Sequence, residues 1–300
     1  MSKIIRYLSI IVSILFFISV IPSLLTNIKK QYAQMLLPHA NVGVVTIKKS
    51  IDNIDDYSKQ LHTYFEDPSV KAILLEIDSP GGNAGSSNAL FLEILNLKKE
   101  HPKPVVALSL DMCASAAYLL ACTADYIITS PAAIVGSIGA SISFFNFSEV
   151  LKKYNVDCIE RHGGKYKTIG SPFLPSTPDM NNMLQTLADN SYAMFTRDVA
   201  NCRSKLALSE LEKWASGKIF TGQQALEIGL VDENGSKFTA TKKIKELAQI
   251  GDDIEINWLK QKDPNAISRW LDDRLQSNFS LDRIIDATVG KLGSNLVTSN

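Results

Sequence analysis

The stretch Lys71 to Gly82, KAILLEIDSPGG, sets the frame for everything around it. Its first part, KAILLEI, is a short aliphatic run without alternation of apolar and polar positions, the pattern of a strand buried on both faces. Its second part, Asp78-Ser79-Pro80-Gly81-Gly82, cannot extend that strand, because proline has no amide to donate and paired glycines favour a turn. Gly85 to Lys99 then reads as an amphipathic helix. The unit is strand, tight loop, helix, and it recurs in both directions. Upstream, Asn41 to Ile47 is a brief β-branched strand, and Asn53 to Phe65 spaces Ile54, Tyr57, Leu61 and Phe65 as a helix that Asp67-Pro68 closes. Downstream, Pro104 to Leu110 is a strand, Ser115 to Cys122 a short apolar helix and Tyr126 to Thr129 another strand. Helices are expected over Met183 to Ala200, Leu206 to Ala215, Thr221 to Gly229 and Lys242 to Ile250, with weak amphipathicity at Leu281 to Leu292. Strands that are apolar on both faces and alternate with helices require an α/β fold with a largely parallel sheet flanked by helices. No repeat period of about 20 to 50 residues appears, which excludes a solenoid.

The 300 residues are 45% apolar, enough to bury a substantial core. Lys plus Arg and Asp plus Glu both total 31, and no basic stripe is interleaved with aromatic residues, so nucleic-acid binding is not indicated. Cys113, Cys122, Cys158 and Cys202 stand at irregular separations without Cys-x-x-Cys, and no histidine falls at ligand spacing, so no metal site is expected. The cysteines fit two disulfides or buried thiols equally well.

Tyr7 to Leu25, YLSIIVSILFFISVIPSLL, carries no charge. At about 1.5 Å per residue it spans roughly 29 Å, close to the hydrocarbon thickness of a bilayer. A cleaved signal peptide would have a shorter apolar region and a small-x-small site, so an uncleaved N-terminal transmembrane helix is expected. The amino terminus with Lys3 and Arg6 slightly outweighs Lys29 and Lys30, which favours the N-terminus inside.

Serine catalysis needs a nucleophile at the tip of an element, a base within reach and backbone N–H donors aimed at the developing oxyanion. Ser115 stands between a strand and a helix among small residues, although from position alone a helix N-cap is its commoner role. Gly81-Gly82 permits backbone conformations that turn an N–H into a cavity, as an oxyanion hole requires, and is equally an ordinary turn. There is no Gly-x-Ser-x-Gly and no Ser-x-x-Lys. Of the histidines, His39 follows the apolar run, His62 lies on a helix, His101 precedes Pro102 and His162 sits in a glycine turn, so none is well placed as a base.

Four runs together, Glu76 to Ser87, Val105 to Ala140, Gly163 to Phe173 and Gly217 to Gly235, resemble the signal peptide peptidase A family in order and spacing, across roughly residues 41 to 250. The resemblance implies a Clp-protease and crotonase-like fold and a Ser-Lys dyad, with Ser115 matching the nucleophile and Lys167 the base. A lysine base must be neutral, so its ordinary pKa of about 10.4 must fall by roughly 3 units. Lys165 is the rival, since two residues apart in an extended segment both lysines share one face. Ser137, in Gly-Ser-Ile-Gly, matches the hydroxyl that orients the lysine. Gly82 and Ala116 are assigned to the oxyanion hole, with Gly81 shaping its turn. Where family members often carry Ser-Gly-Gly-Tyr, this chain has Ser115-Ala116-Ala117-Tyr118, whose methyl groups narrow the groove. The expected division is a membrane anchor over residues 1–28, a linker over 29–40, a peptidase domain over 41–250 and an extension over 251–300. The resemblance further implies hydrolysis of signal-peptide remnants or other membrane-associated peptides, no cofactor, a ring- or dome-shaped homo-oligomer, and a catalytic domain outside a bacterial inner membrane. A crotonase-like acyl-CoA enzyme and a non-catalytic membrane scaffold of the same fold are the competing readings.

Overall fold

The computed structural model describes residues 39–260. The apolar run Tyr7 to Leu25 and the stretch Leu281 to Leu292 lie outside the described residues. Among the described residues, no helix is long and apolar enough to cross a membrane.

In chain order the elements are β1 (His39–Lys48), α1 (Asp55–Glu66), β2 (Val70–Asp78), α2 (Ala84–Glu100), β3 (Val105–Ser109), β4 (Met112–Ala114), α3 (Ala116–Ala121), β5 (Tyr126–Thr129), β6 (Ile134–Gly136), α4 (Ser148–Lys153), α5 (Pro178–Cys202), a 3-10 turn Leu208–Glu210, α6 (Leu211–Trp214), β7 (Ile219–Thr221), α7 (Gly222–Glu227), β8 (Glu233–Asn234), α8 (Lys237–Leu247) and β9 (Glu255–Lys260). Six strands form one sheet in the order β8-β5-β3-β2-β1-β9. From β1 through β2, β3 and β5 to β8 every pairing is parallel, with Val44 opposite Leu74, Leu74 opposite Val106 and Leu108 opposite Ile128.

The unbroken aliphatic runs are explained by their two buried faces. Ile73, Leu75, Val105, Ala107 and Ile127 pack with Leu61 and Phe65 of α1, Leu90 and Ile94 of α2 and the apolar side of α3. The alternate residues Val42, Val44, Leu74, Val106 and Ile128 pack beneath Ala240 and Ile244 of α8. Burying one such side chain contributes about 1.5–3 kcal/mol, so this two-sided sheet is the stable platform of the molecule.

A second, three-stranded sheet has the order β4-β6-β7. β4 and β6 are parallel and end together at Ala114 opposite Gly136, while β7 runs antiparallel to β6. Strands of this length carry no readable period, and only their pairing reveals them. β9 carries the main sheet beyond Ile250, into the stretch expected as a C-terminal extension.

Several helices differ from expectation: α4 has no expected counterpart, α8 starts at Lys237 rather than Lys242, and two further differences have a local cause. The region expected as a helix over Leu206 to Ala215 is a 3-10 turn and the short α6, because buried Trp214 folds back so that its Nε1 donates to the Ala207 carbonyl at 3.1 Å. α5 starts at Pro178 rather than Met183, since proline suits the first helical turn and the Thr177 hydroxyl accepts from the Met180 N–H at 3.3 Å.

Candidate active site

Two strand-to-helix crossings meet at one place. At the first, β2 leaves the main sheet through Ser79 to Asn83 and enters α2; at the second, β4 gives way to α3 at Ser115. A parallel bridge between Ser79 and Cys113 joins them. Ser115 has φ 52° and ψ −128°, a conformation rarely adopted by a residue with a Cβ. The surrounding pairing imposes it: Ser115 N–H donates to the Gly136 carbonyl at 2.7 Å, one step beyond the last β4–β6 pair, while its own carbonyl already accepts from Tyr118 at 2.9 Å to open α3. Such a backbone costs on the order of 1–3 kcal/mol and persists only where its surroundings over-determine it. The Ser115 side chain makes no capping hydrogen bond. Its position is that of an N-cap, but its hydroxyl is left free for other work.

Gly81, at φ +105°, packs directly against the nucleophile candidate. A Cβ there would lie 2.8 Å from Ser115 Cβ and 2.9 Å from the Ala116 nitrogen. The Gly81 N–H donates to Ser79 Oγ at 3.1 Å, so Gly81 shapes the turn and its amide is not available to an oxyanion. Gly82 bridges Ile51, and a Cβ at Gly82 would fall 2.3 Å from the Ile51 carbonyl oxygen. Among the described residues, the amides of Gly82 and Ala116 meet no acceptor. Both residues line, with Ser115, a cavity of about 440 Å³ whose apolar wall includes Leu119, Leu187 and Phe195. On another side the cavity is bounded by Gly139 to Ile142, a segment without assigned secondary structure whose amides donate to no backbone carbonyl among the described residues.

The cavity lining contains no histidine, aspartate, glutamate or lysine. His62 is engaged elsewhere: its Nδ1 meets Glu66 and its Nε2 meets Glu93, each at 2.9 Å, and the Glu66 hydrogen bond raises its pKa. Cys113, two residues before Ser115, is buried, and burial alone pushes its thiol up to about 12, which keeps it protonated and unreactive. Among the described residues, no group of three or more His, Cys, Asp or Glu side chains could hold a metal ion.

Ser137 directly follows β6, as Ser115 follows β4, and it too has φ 52°. Its N–H donates to the Lys218 carbonyl at 2.7 Å. Lys167 is exposed and is not part of the cavity lining. Its segment is a series of turns rather than an extended strand, with Lys167 N–H donating to Gly164 at 3.1 Å and Ile169 N–H to Tyr166 at 3.1 Å, so the two lysines do not share a strand face. They also differ electrostatically. Lys165 Nζ donates to Asp179 Oδ2 at 2.6 Å, and that hydrogen bond raises its pKa, which holds it in the protonated form that cannot accept a proton. No ion pair is formed by Lys167 among the described residues.

The sequence profile of peptidase family S49 matches residues 97–251, which include Ser115, Ser137 and Lys167. The chain belongs to peptidase family S49. A Methanocaldococcus jannaschii protein assigned as a protease is 38% identical over 200 residues, covering 67% of this chain and 61% of its own length. Protease 4 of Haemophilus influenzae is 32% identical over 228 residues, 73% of this chain and 36% of that protein. The S49 chain therefore spans less than two thirds of either relative. A solved structure of a membrane-bound stomatin-specific protease overlays on 75% of the chain with a TM-score of 0.46 and 16% identity.

The glycines of Ser79-Pro80-Gly81-Gly82 drew the sequence reading, while Ser79 escaped it. Its signal was present as a serine one position before the proline, but only the fold shows which groups its hydroxyl meets. The Gly139 to Ile142 wall was also missed, because an irregular segment has no periodicity to read.

Proposed function

We propose that the chain is a serine peptidase in which Ser115 attacks a peptide carbonyl, Lys167 takes the Ser115 proton and the Gly82 and Ala116 amides hold the oxyanion. The observation that carries this reading is the free Ser115 hydroxyl, held on a strained backbone in the lining of a cavity with two unsatisfied amides beside it. The lysine then returns the proton to the leaving amine, and water hydrolyses the acyl-enzyme. Ser137 orients the lysine, one residue past the β6 strand that pairs with β4. The free backbone of Gly139 to Ile142 suits an extended peptide laid alongside it as an added strand.

Assembly completes the site in this reading. Within residues 142–173, Ile142, Phe144, Phe145, Phe147, Tyr154 and Ile159 are exposed, Phe145 by 81% and Ile159 by 76%, an apolar area that an isolated soluble chain rarely shows. A second copy packed on this segment removes water from Lys167, the condition for a neutral base, and brings a lysine to a Ser115 cavity that holds none in the single chain. The Clp-protease and crotonase-like description, the anchor over residues 1–28, the linker over 29–40 and an extracytoplasmic peptidase domain belong to the same proposal. So does a substrate class of signal-peptide remnants or other membrane-associated peptides.

The test is labelling and turnover. Wild-type protein is expected to react with a fluorophosphonate at Ser115 and to cleave unstructured peptides; Ser115→Ala and Lys167→Ala abolish cleavage, and Lys165→Ala retains it. Retained activity in Lys167→Ala would remove the lysine from its role. A crotonase-like hydration reaction is disfavoured, because no acid lines the cavity to move protons to and from carbon. An assembled protein that neither labels nor cleaves is a scaffold, and the proposal then fails.

A further inference from the structure

Ser79 is completely buried beneath the two crossings, and both its backbone and its side chain are spent on them. Its N–H donates to the Met112 carbonyl at 2.9 Å and its carbonyl accepts from Ala114 N–H at 3.2 Å, so it is fastened to β4 immediately before Ser115. Its hydroxyl donates to the Lys49 carbonyl at 2.6 Å, much closer than the alternative acceptor Gly81 O at 3.5 Å, and accepts from Gly81 N–H at 3.1 Å. One small side chain thus ties the end of β1 to the turn that carries Gly82.

We infer that Ser79 is a positioning residue of the oxyanion hole: by taking the Gly81 amide, its hydroxyl leaves Gly82 to present its own amide toward Ser115. The turn has two adjacent glycines and could aim either N–H at the cavity; the Ser79 hydroxyl removes that choice. Gly81 O is held as well, by Ile51 N–H at 2.8 Å, so the peptide unit between Ser79 and Gly82 is gripped from both sides. Without the hydroxyl, Gly81 N–H is a buried donor without a partner, and the turn relieves that cost by rotating. Rotation moves the Gly82 amide away from the place where charge develops. The effect is on transition-state stabilisation and little on substrate binding, because an oxyanion exists only after attack.

The inference rests on the assignment of Gly82 and Ala116 to the oxyanion hole. The experiment compares wild type, Ser79→Ala, which removes the hydroxyl without enlarging the side chain, and Ser79→Cys, whose bulkier thiol is only a weak hydrogen-bonding group, so that at least one variant folds. Turnover is normalised to the fraction of Ser115 that reacts with a fluorophosphonate, and affinity is measured for a peptide boronate, which mimics the tetrahedral species. The expected result is a fall in kcat of about 10- to 100-fold per reactive site with KM changed by less than about 3-fold. Affinity for the boronate falls by a comparable factor. A variant that loses reactive sites but keeps wild-type kcat per site, or binds the boronate as wild type does, overturns the inference and leaves the oxyanion assignment standing. Wild-type protein that cleaves peptides but does not bind the boronate overturns both.

Discussion

Residues 79–119 and residues 141–177 supply the two halves of the proposed chemistry and are built by opposite means. In the first, Ser79, Cys113, Ala114, Ala116 and Ala117 are buried, every turn is pinned by backbone hydrogen bonds, and Ser115 adopts its strained conformation because β4, β6 and α3 leave it no other. In the second, Thr168 is the one buried residue, and the aromatic side chains of Phe144, Phe145 and Phe147 face outward. The proposed nucleophile and oxyanion donors are held in place within a single chain. The proposed base, Lys167, is carried on an exposed surface of the chain. In the proposed mechanism such an arrangement makes activity depend on assembly, because Lys167 is exposed in the single chain.

This contrast can be broken from either side. The largest expected effect is on the rigid half: Ser115→Ala lowers peptide turnover by about 10⁶-fold, the scale of losing a serine nucleophile, with the thermal midpoint little changed. The next tests the loose half. Phe145→Asp with Phe147→Asp is expected to reduce assembly in sedimentation velocity and to lower turnover by about 10²-fold or more, the scale of losing a general base, while circular dichroism remains that of the wild type. Wild-type activity in dispersed protein would show that one chain suffices.

Stability should respond in the rigid half and in the loop that braces it. Arg203 is buried and forms two hydrogen bonds with Asp232, at 2.7 and 2.8 Å, and a third with the Gly229 carbonyl at 3.1 Å. Tyr118 of α3 donates to the Leu230 carbonyl at 2.6 Å within the same loop. Arg203→Ala leaves the Asp232 carboxylate with only the Ile127 N–H, at 2.8 Å, and is expected to cost about 3 kcal/mol in chemical denaturation, which loosens the support of α3. Gly81→Ala places a Cβ against Ser115 and the Ala116 nitrogen at positive φ, and about 1–3 kcal/mol is expected, together with lost turnover.

The smallest effect is in the loose half. The Lys165–Asp179 hydrogen bond raises the lysine and lowers the aspartate. The lysine's contribution is complete below its unfolded pKa and fades as pH rises through the raised value; that of the aspartate is complete above its unfolded pKa and fades as pH falls through the lowered one. Because the pair is exposed, Lys165→Met is expected to leave the neutral-pH melting curve unchanged within error. A substantial shift would mean that this segment is more tightly organised than its exposure implies.

Legibility in the sequence followed the same division. β1, β2, β3 and β5 and the helices between them were readable because a strand buried on both faces writes an unbroken aliphatic run. Ser115 and Gly82 could be located as residues at strand-to-helix crossings. The extent of the second sheet could not, since β4, β6 and β7 are three residues each and gain their identity from partners far along the chain.

The amino-acid sequence by itself determined the α/β class, the positions of the crossings and the set of small residues around Ser115, because each is a property of neighbours along the chain. Tertiary structure alone decided that the Ser115 hydroxyl is not a cap, that Gly81 surrenders its amide to Ser79, and that Lys165 is paired while Lys167 is not. Each of these depends on a partner brought in by folding: Gly136 for Ser115, Lys49 and Met112 for Ser79, Asp179 for Lys165. A periodic pattern records which face of an element is buried, whereas a hydrogen bond between distant segments leaves no period to read.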